Sequence, residues 1–308
     1  MTLERYRSIV DGYEAFVEAC EKPVPRTGRV NPAKSSFGEV RDSLTAAGFG
    51  VDRFDWFADG FRIDEPDDAK VGNTVAHYLG WIAVQEEVSM LPPVVLRRSE
   101  VSLGDGLVLD ICAAPGSKTT QVAAHSAGVV ANDDNVGRIA ALRNNTDRLG
   151  LTNVAVTSYD GRRFPGGVDF DAALVDVPCT SEGTVRKNPE YSEAGAVSDD
   201  ERASVSGVQK GILTRALKLV RDGGRVVYST CTFAPEENEA VVDHAVRNDD
   251  ARVVPFDVGL GSSPGVTEWQ GETYADPVRD TRRFYPHQND TGGFYVALLE
   301  PTTDTVSP

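Results

Sequence analysis

Histidine, cysteine, lysine and long apolar runs are all scarce in this chain of 308 residues. Its four histidines and four cysteines lack ligand spacing, so there is no pattern for a structural zinc site. The cysteines (Cys20, Cys112, Cys179 and Cys231) are scattered, which indicates no disulfide framework and suits a reducing cytosol. No apolar run approaches the ~20 residues that a membrane-spanning helix needs. The start, MTLERYRSIVDGYEAF, is charged and amphipathic, unlike a signal peptide. The expectation is a cytoplasmic protein with no metal and no membrane partner. Most of the 31 basic residues are Arg, set against 47 acids, for a formal net charge of −16. Such a surface opposes phosphate binding in dilute salt. Either the protein avoids nucleic acid, or it works in concentrated salt, where the screening length shrinks to about 3 Å at 1 M. Acidic, Lys-poor sequences suit salt-loaded halophiles and self-repel in dilute buffer; this second reading is preferred.

Hydrophobic residues make up 40% of the chain, enough for a sizeable core. The length suits one large domain and a smaller one. Residues 1–22 read as an amphipathic helix on Leu3, Tyr6, Ile9, Val10, Tyr13, Phe16 and Val17. TGRVNPAKSS reads as a short strand closed by Pro32, FGEVRDSLTAAGFG as a helix ending at Gly48, and WFADGFRID as a hairpin. Together they predict a small α+β domain over residues 1–92. From Leu103 onward strand-like runs (GLVLDIC, GVVANDD, NVAVTSYD, FDAALVDVPC, GRVVYSTC) alternate with helices starting near Ser117, Asn135, Asp199 and Pro235. That alternation predicts an α/β fold with a mostly parallel sheet and crossover helices. FYP and FYVALLE, separated by HQNDTGG, predict a C-terminal antiparallel hairpin. The larger domain is expected over 93–301, with a disordered tail at 302–308.

DICAAPGSKTT follows a strand and opens a helix. Its small residues Ala113, Ala114 and Gly116 let a ligand approach the backbone, and a helix N-terminus offers free N–H groups. A nucleotide P-loop is excluded: Ile111 stands where its first Gly is required, and Ser117 separates Gly116 from Lys118. The loop alone leaves a cofactor site and a plain βα turn about even. Acids at strand ends favour the cofactor. Asp133 is placed for ribose hydroxyls, with Asp134 as a neighbouring alternative, and Asp160 for an adenine amino group. Asp176 ends the next strand, three residues before Cys179.

A free cysteine is usually a small buried hydrophobe, the reading kept for Cys20 and for the side chain of Cys112. Cys179 and Cys231 differ, because turn-forming polar residues follow both at strand ends, where ligands of open α/β sheets collect. Two thiols there suit covalent chemistry on an electrophilic ring. Carbon 5 of cytosine is a poor nucleophile. A thiolate added to carbon 6 makes the ring an enamine-like species able to take a methyl group at carbon 5. An acid such as Asp176 would assist at ring nitrogen 3, and the base must be unstacked to be reached.

The motifs WIAVQEEVSMLPP, LDICAAPGSKTTQ, ANDDNVGRIAALRNNTDRLG, SYDGRRF, DVPCTSEGTVRKNPE, VVYSTCTFAPEENEAVV and HQNDTGGFYVALLE, in that order over about residues 75–300, resemble the NOP/Sun family of RNA cytosine-5 methyltransferases. RKNPE and HQNDTGGF look most like its tRNA-methylating branch, and GRVNPAKSS like its small RNA-recognition-like N-terminal domain. The resemblance implies a class I, Rossmann-like methyltransferase fold, S-adenosylmethionine as cofactor and RNA, above all tRNA, as partner. It implies Cys231 as nucleophile and Cys179 as the thiol that assists product release. Residue patterns alone do not rank the two, since DNA cytosine-5 methyltransferases use a Pro-Cys cysteine as nucleophile. It also implies a cofactor site of Cys112, Ala113, Ala114, Pro115, Gly116, Ser117, Lys118, Asp133, Arg138, Asp160 and Asp176. Lys118 and Asp176 are expected near the target cytosine, and Arg186 and Lys187 are expected to touch RNA, with a solvated basic loop as the equal alternative. Thr180 and Thr232 replace the serine common after each cysteine. The further RNA-binding domain of some relatives is not expected here. An rRNA methyltransferase and a catalytically dead RNA-binding scaffold are the competing readings. The retained thiols and strand-end acids argue against the scaffold.

Overall fold

The computed structural model describes residues 2–193 and 195–302, so residues 303–308 of the expected disordered tail lie outside the described residues. The first sheet is antiparallel, with β1 (Thr27–Val30), β2 (Gly50–Arg53), β3 (Gly60–Asp64) and β4 (Ile82–Val84) in the order β2-β3-β1-β4. Helix α2 (Phe37–Ala46) starts at a reciprocal cap: the Ser36 hydroxyl accepts from Glu39 N–H, and the Glu39 carboxylate accepts from Ser36 N–H at 2.8 Å. It stops where Gly48 takes φ +89°, as the sequence suggests. Its Val40 and Leu44 pack with Val30, Phe61, Ile63 and Ile82 to form the core of this unit.

The second sheet carries β5 (Leu107–Asp110), β6 (Gly128–Asn132), β7 (Val154–Thr157), β8 (Phe170–Asp176) and β9 (Val220–Thr230). They run parallel in the order β7-β6-β5-β8-β9, and the strand Phe294–Pro301 continues the sheet antiparallel to β9. Arg282–Phe284 pairs with that last strand, which makes the expected C-terminal hairpin. Side chains alternate between two cores, as a pleated strand requires. Val108, Ala172, Leu174 and Val227 meet α4 (Leu91–Arg98), α5 (Ser117–Ala123) and α6 (Val136–Leu149). Leu109, Ala173, Val175, Val226 and Tyr228 meet α7 (Asp199–Leu217) and α8 (Glu239–Asn248) on the other face. The strand order reverses between β5 and β8, so a cleft opens at the carboxyl ends of these two strands.

Four expectations change in detail. The single N-terminal helix is instead a 3-10 turn (Thr2–Tyr6) and a helix (Tyr13–Cys20), divided where Gly12 adopts φ +68°. This segment packs on the large sheet's α7/α8 face: the Phe16 ring lies 5.1 Å from that of Phe233 and 5.8 Å from that of Tyr285. The hairpin strands lie either side of WFAD, and Trp56 turns inward to donate to Glu87 at 2.9 Å. The helix expected near Pro235 starts at Glu239, after a turn over residues 235–238. Position 92/93, the expected domain boundary, falls within α4.

Candidate active site

The loop from Ile111 to Gly116 joins β5 to α5. Gly116 has φ +103°, and a Cβ there would lie 2.7 Å from Leu142, so only glycine suits the position. Asp133, at the end of β6, accepts from the backbone N–H of Ala114 and of Asn135, both at 3.0 Å. Arg138 donates to the Ala114 carbonyl and lies 3.7 Å from Asp133. The strand-end acid and α6 thus fasten the loop. Asp160 is gripped by Arg162 at 2.7 Å, which holds its carboxyl below the usual range. Cys112, Asp133, Asp134, Arg138, Asp160 and Asp176 all line one cavity of about 320 Å³.

The two thiols meet at its end. Cys179 Sγ and Cys231 Sγ are 3.2 Å apart. Cys231 and Asp176 also line a second cavity of about 180 Å³, with Glu86, Ser89, Lys118, Thr184 and Phe294. One cavity is acidic, the other smaller, and they share a wall made by Cys231, Asp176 and Val177. Lys118 is buried at that wall; its ammonium donates to Asp176 at 2.8 Å and to Ser89 at 3.0 Å, and lies 5.4 Å from the Phe294 ring centre. The other Asp176 oxygen accepts from Ser229 at 2.7 Å; these two residues are direct partners in the β8–β9 ladder. Gly293 N–H donates to the Gly183 carbonyl at 2.8 Å, and Gly183 N–H to the Cys231 carbonyl at 2.9 Å, so HQNDTGGF closes against both cysteine turns.

The thiols of this pair differ. The hydrogen bond from Cys179 lowers the Cys231 thiol below its ordinary value, and the same contact raises Cys179 well above it. Cys231 is thus the more acidic thiol of the pair. Burial pushes Cys20 up to about 12 and raises Cys112 strongly, so both remain inert thiols.

Arg186 requires a correction. Its guanidinium is buried and donates to the carbonyls of Lys22, Pro23 and Thr291 and to Asp290, all at 2.7–2.8 Å, so it is an internal tie rather than an RNA contact. Lys187 is half exposed and pairs with Glu86, a wall residue of the small cavity. Sequence reasoning gave no role to Asp110, Ser89, Ser229, Glu86 or Phe294. Asp110 ends β5 wholly buried, accepts from Thr119 at 2.6 Å, and is pushed up to about 7 by burial. An acid closing an apolar strand was its only signal. Among the described residues no cluster of His, Cys, Asp and Glu is arranged to hold a metal. No helix among them is long and apolar enough to cross a membrane.

Residues 101–300 match the family of 16S rRNA methyltransferase RsmB/F, and residues 3–87 match the N-terminal domain of 16S rRNA methyltransferase RsmF. The chain belongs to the RsmB/F (NOP/Sun) family of RNA cytosine-5 methyltransferases. The chain is 37% identical to a tRNA (cytosine(49)-C(5))-methyltransferase of Pyrococcus abyssi, over 96% of its own length and 94% of that protein. It is 33% identical to a 28S rRNA (cytosine-C(5))-methyltransferase of Mus musculus over 94% of its length, but covers only 37% of that protein. A solved methyltransferase homologue from Pyrococcus horikoshii superimposes with a TM-score of 0.81 at 29% identity, covering 98% of this chain and 99% of the other. The RsmB/F family thus includes enzymes named for tRNA and for rRNA, and the fold here is its α/β methyltransferase fold with a small N-terminal unit. S-adenosylmethionine is the methyl donor that such a family implies. The larger of these two cavities fits it chemically: ribose hydroxyls, an adenine amino group and an α-ammonium are all donors, and four acids, Asp133, Asp134, Asp160 and Asp176, line it.

Proposed function

We propose that this chain methylates carbon 5 of a cytosine in tRNA through a covalent adduct between Cys231 and carbon 6. The observation that carries the reading is the shared wall, where one acidified thiol faces both a cofactor-sized cavity and a base-sized one. The loop Cys112–Lys118 with Asp133, Arg138, Asp160 and Asp176 would hold S-adenosylmethionine, which supplies an electrophilic methyl group. Cys231 adds as a thiolate to carbon 6, forming the S–C bond and moving ring electrons toward carbon 5. The Lys118 ammonium, oriented by Asp176 at 2.8 Å, would stabilise the negative charge that this addition puts on the ring. After carbon 5 is methylated, its proton passes to a base, the C–H electron pair restores the ring double bond, and Cys231 leaves as a thiolate. The Cys179 S–H, 3.2 Å away, stabilises that leaving thiolate. tRNA is favoured because the Pyrococcus abyssi tRNA enzyme aligns over nearly its whole length, whereas the mouse rRNA enzyme extends far beyond this chain.

Two variants and a map test the reading. Cys231→Ala should abolish methyl transfer, and Cys179→Ala should trap a protein–RNA adduct on a denaturing gel. Turnover by the first, or adduct trapped by the first rather than the second, would overturn the order of the thiols. Bisulfite mapping in a deletion strain should show methylation lost from tRNA; loss confined to rRNA would replace the substrate.

A further inference from the structure

The turn that opens α8 lies beneath both cysteine turns, and two consecutive side chains on it hold one turn each. Glu237 is wholly buried and touches no cavity wall. Its carboxylate accepts from Thr180 N–H at 3.0 Å, from the Thr180 hydroxyl, and from Gln209 Nε2 at 3.0 Å. The same Gln209 nitrogen donates to the Pro178 carbonyl at 2.8 Å. The residues on both sides of Cys179 therefore hang from the Glu237–Gln209 pair. Tyr228, on β9, donates to the Glu237 carbonyl at 2.6 Å and fixes this anchor to the sheet. Asn238 does the equivalent for the other thiol. Its Nδ2 donates to the Thr232 carbonyl at 3.0 Å, and its Oδ1 accepts from the Thr230 hydroxyl, so one amide spans the two neighbours of Cys231. A hydroxyl pair, Thr180 to Thr232 at 3.0 Å, joins the two assemblies.

Burying a carboxylate is costly unless its hydrogen bonds are met. Here two of them go to the residue next to Cys179, which is a directional constraint that apolar packing would not give. We propose that Glu237 and Asn238 are positioning residues for different halves of the reaction: Glu237 places Cys179 for product release, and Asn238 places Cys231 for addition. This rests on the covalent reading above. In release, the S–C6 bond breaks and its electron pair returns to Cys231, which needs the Cys179 S–H in place. In addition, the Cys231 lone pair forms that bond, which needs the Thr230–Thr232 backbone in place. A displacement of about 1 Å at either sulfur would slow its own step roughly 100-fold.

The test uses the full chain, S-adenosylmethionine and an unmodified tRNA transcript that the wild-type enzyme methylates, with Cys179→Ala and Cys231→Ala as references. Glu237→Ala should accumulate adduct on a denaturing gel as Cys179→Ala does, with decay about 100-fold slower than wild type. Glu237→Gln keeps a carbonyl acceptor for Thr180 N–H and should restore most of the release rate. Asn238→Ala should form adduct about 100-fold more slowly and accumulate none. Should the alanine variants unfold, Gln209→Met, which releases the Pro178 carbonyl, and Thr230→Val give the same comparison with smaller effects. If the adjacent variants slow both steps equally while melting cooperatively, a general scaffold role replaces the proposal. If Cys179→Ala traps adduct but Glu237→Ala turns over like wild type, the proposal alone falls. If Cys179→Ala traps nothing, the covalent reading falls and takes the proposal with it.

Discussion

Cys231 and Asp110 are titratable groups held away from their ordinary behaviour by opposite causes, and each gives a measurable pH dependence. Cys231 is acidified by the S–H of Cys179. Iodoacetamide alkylation of Cys231, followed by mass spectrometry, should titrate below the ordinary thiol value of about 8.5. Cys179→Ala should move that midpoint upward; an unchanged midpoint would show that the contact does not acidify the thiol. Asp110 is the reverse case, kept protonated by burial up to a pKa of about 7. Unfolded, it releases its proton near pH 3.9. Between those values the folded state binds the extra proton, so its contribution to stability declines as pH rises from about 4 to 7, then levels off. Asp110→Asn should flatten the dependence of melting temperature on pH across that window, relative to wild type. A parallel pair of curves would refute the assignment. At this scale the sequence showed the thiols and strand-end acids, because strand runs and turn residues are local signals. It did not show Ser89, Ser229, Glu237 or Asn238, whose meaning depends on partners brought together by the sheet.

Elements were most legible where the local code is strong. Gly48 marks the end of α2, and Val-rich runs mark the parallel strands. The first 22 residues misled because the apolar spacing continues across Asp11-Gly12, while Gly12 adopts a left-handed conformation that ends helical continuity. Where that segment docks was not legible either, since its partners Phe233 and Tyr285 lie more than 200 residues away. Arg186 shows how an element's role depends on tertiary placement. It lies in a basic run of the kind that meets nucleic acid, yet it joins the carbonyls of Lys22 and Pro23 to Asp290 and Thr291. Arg186→Met leaves the buried Thr291 carbonyl and the partly buried Lys22 and Pro23 carbonyls without their donor and should cost about 1–3 kcal/mol in urea melts. RNA affinity of the folded fraction should keep the same salt slope, because no phosphate contact is lost. A reduced slope would return Arg186 to the RNA surface.

For the molecule as a whole, the surface carries the full acidic excess of the composition. Arg29, Arg186, Arg202, Arg225 and Arg283 are buried, and the last four meet carboxylates within the chain. Among the described residues Lys118 and six acids, Glu87, Asp110, Asp133, Glu182, Glu237 and Glu239, are buried as well, so the buried charges cancel and the −16 lies at the surface. If the composition reflects a salt-loaded cell, the melting temperature should rise steadily as KCl increases from about 0.1 to 2 M, as the screening length falls from about 10 Å toward 3 Å and below. A cooperative melt in dilute buffer that KCl leaves unchanged would refute that origin. The partition between the two cavities has a consequence for anyone altering this enzyme. It is a single layer of side chains, and Cys231 and Asp176 belong to both compartments. On the proposed assignment, enlarging the larger cavity for a bulkier alkyl group therefore also reshapes the one proposed for the base, and the two specificities have to be redesigned together.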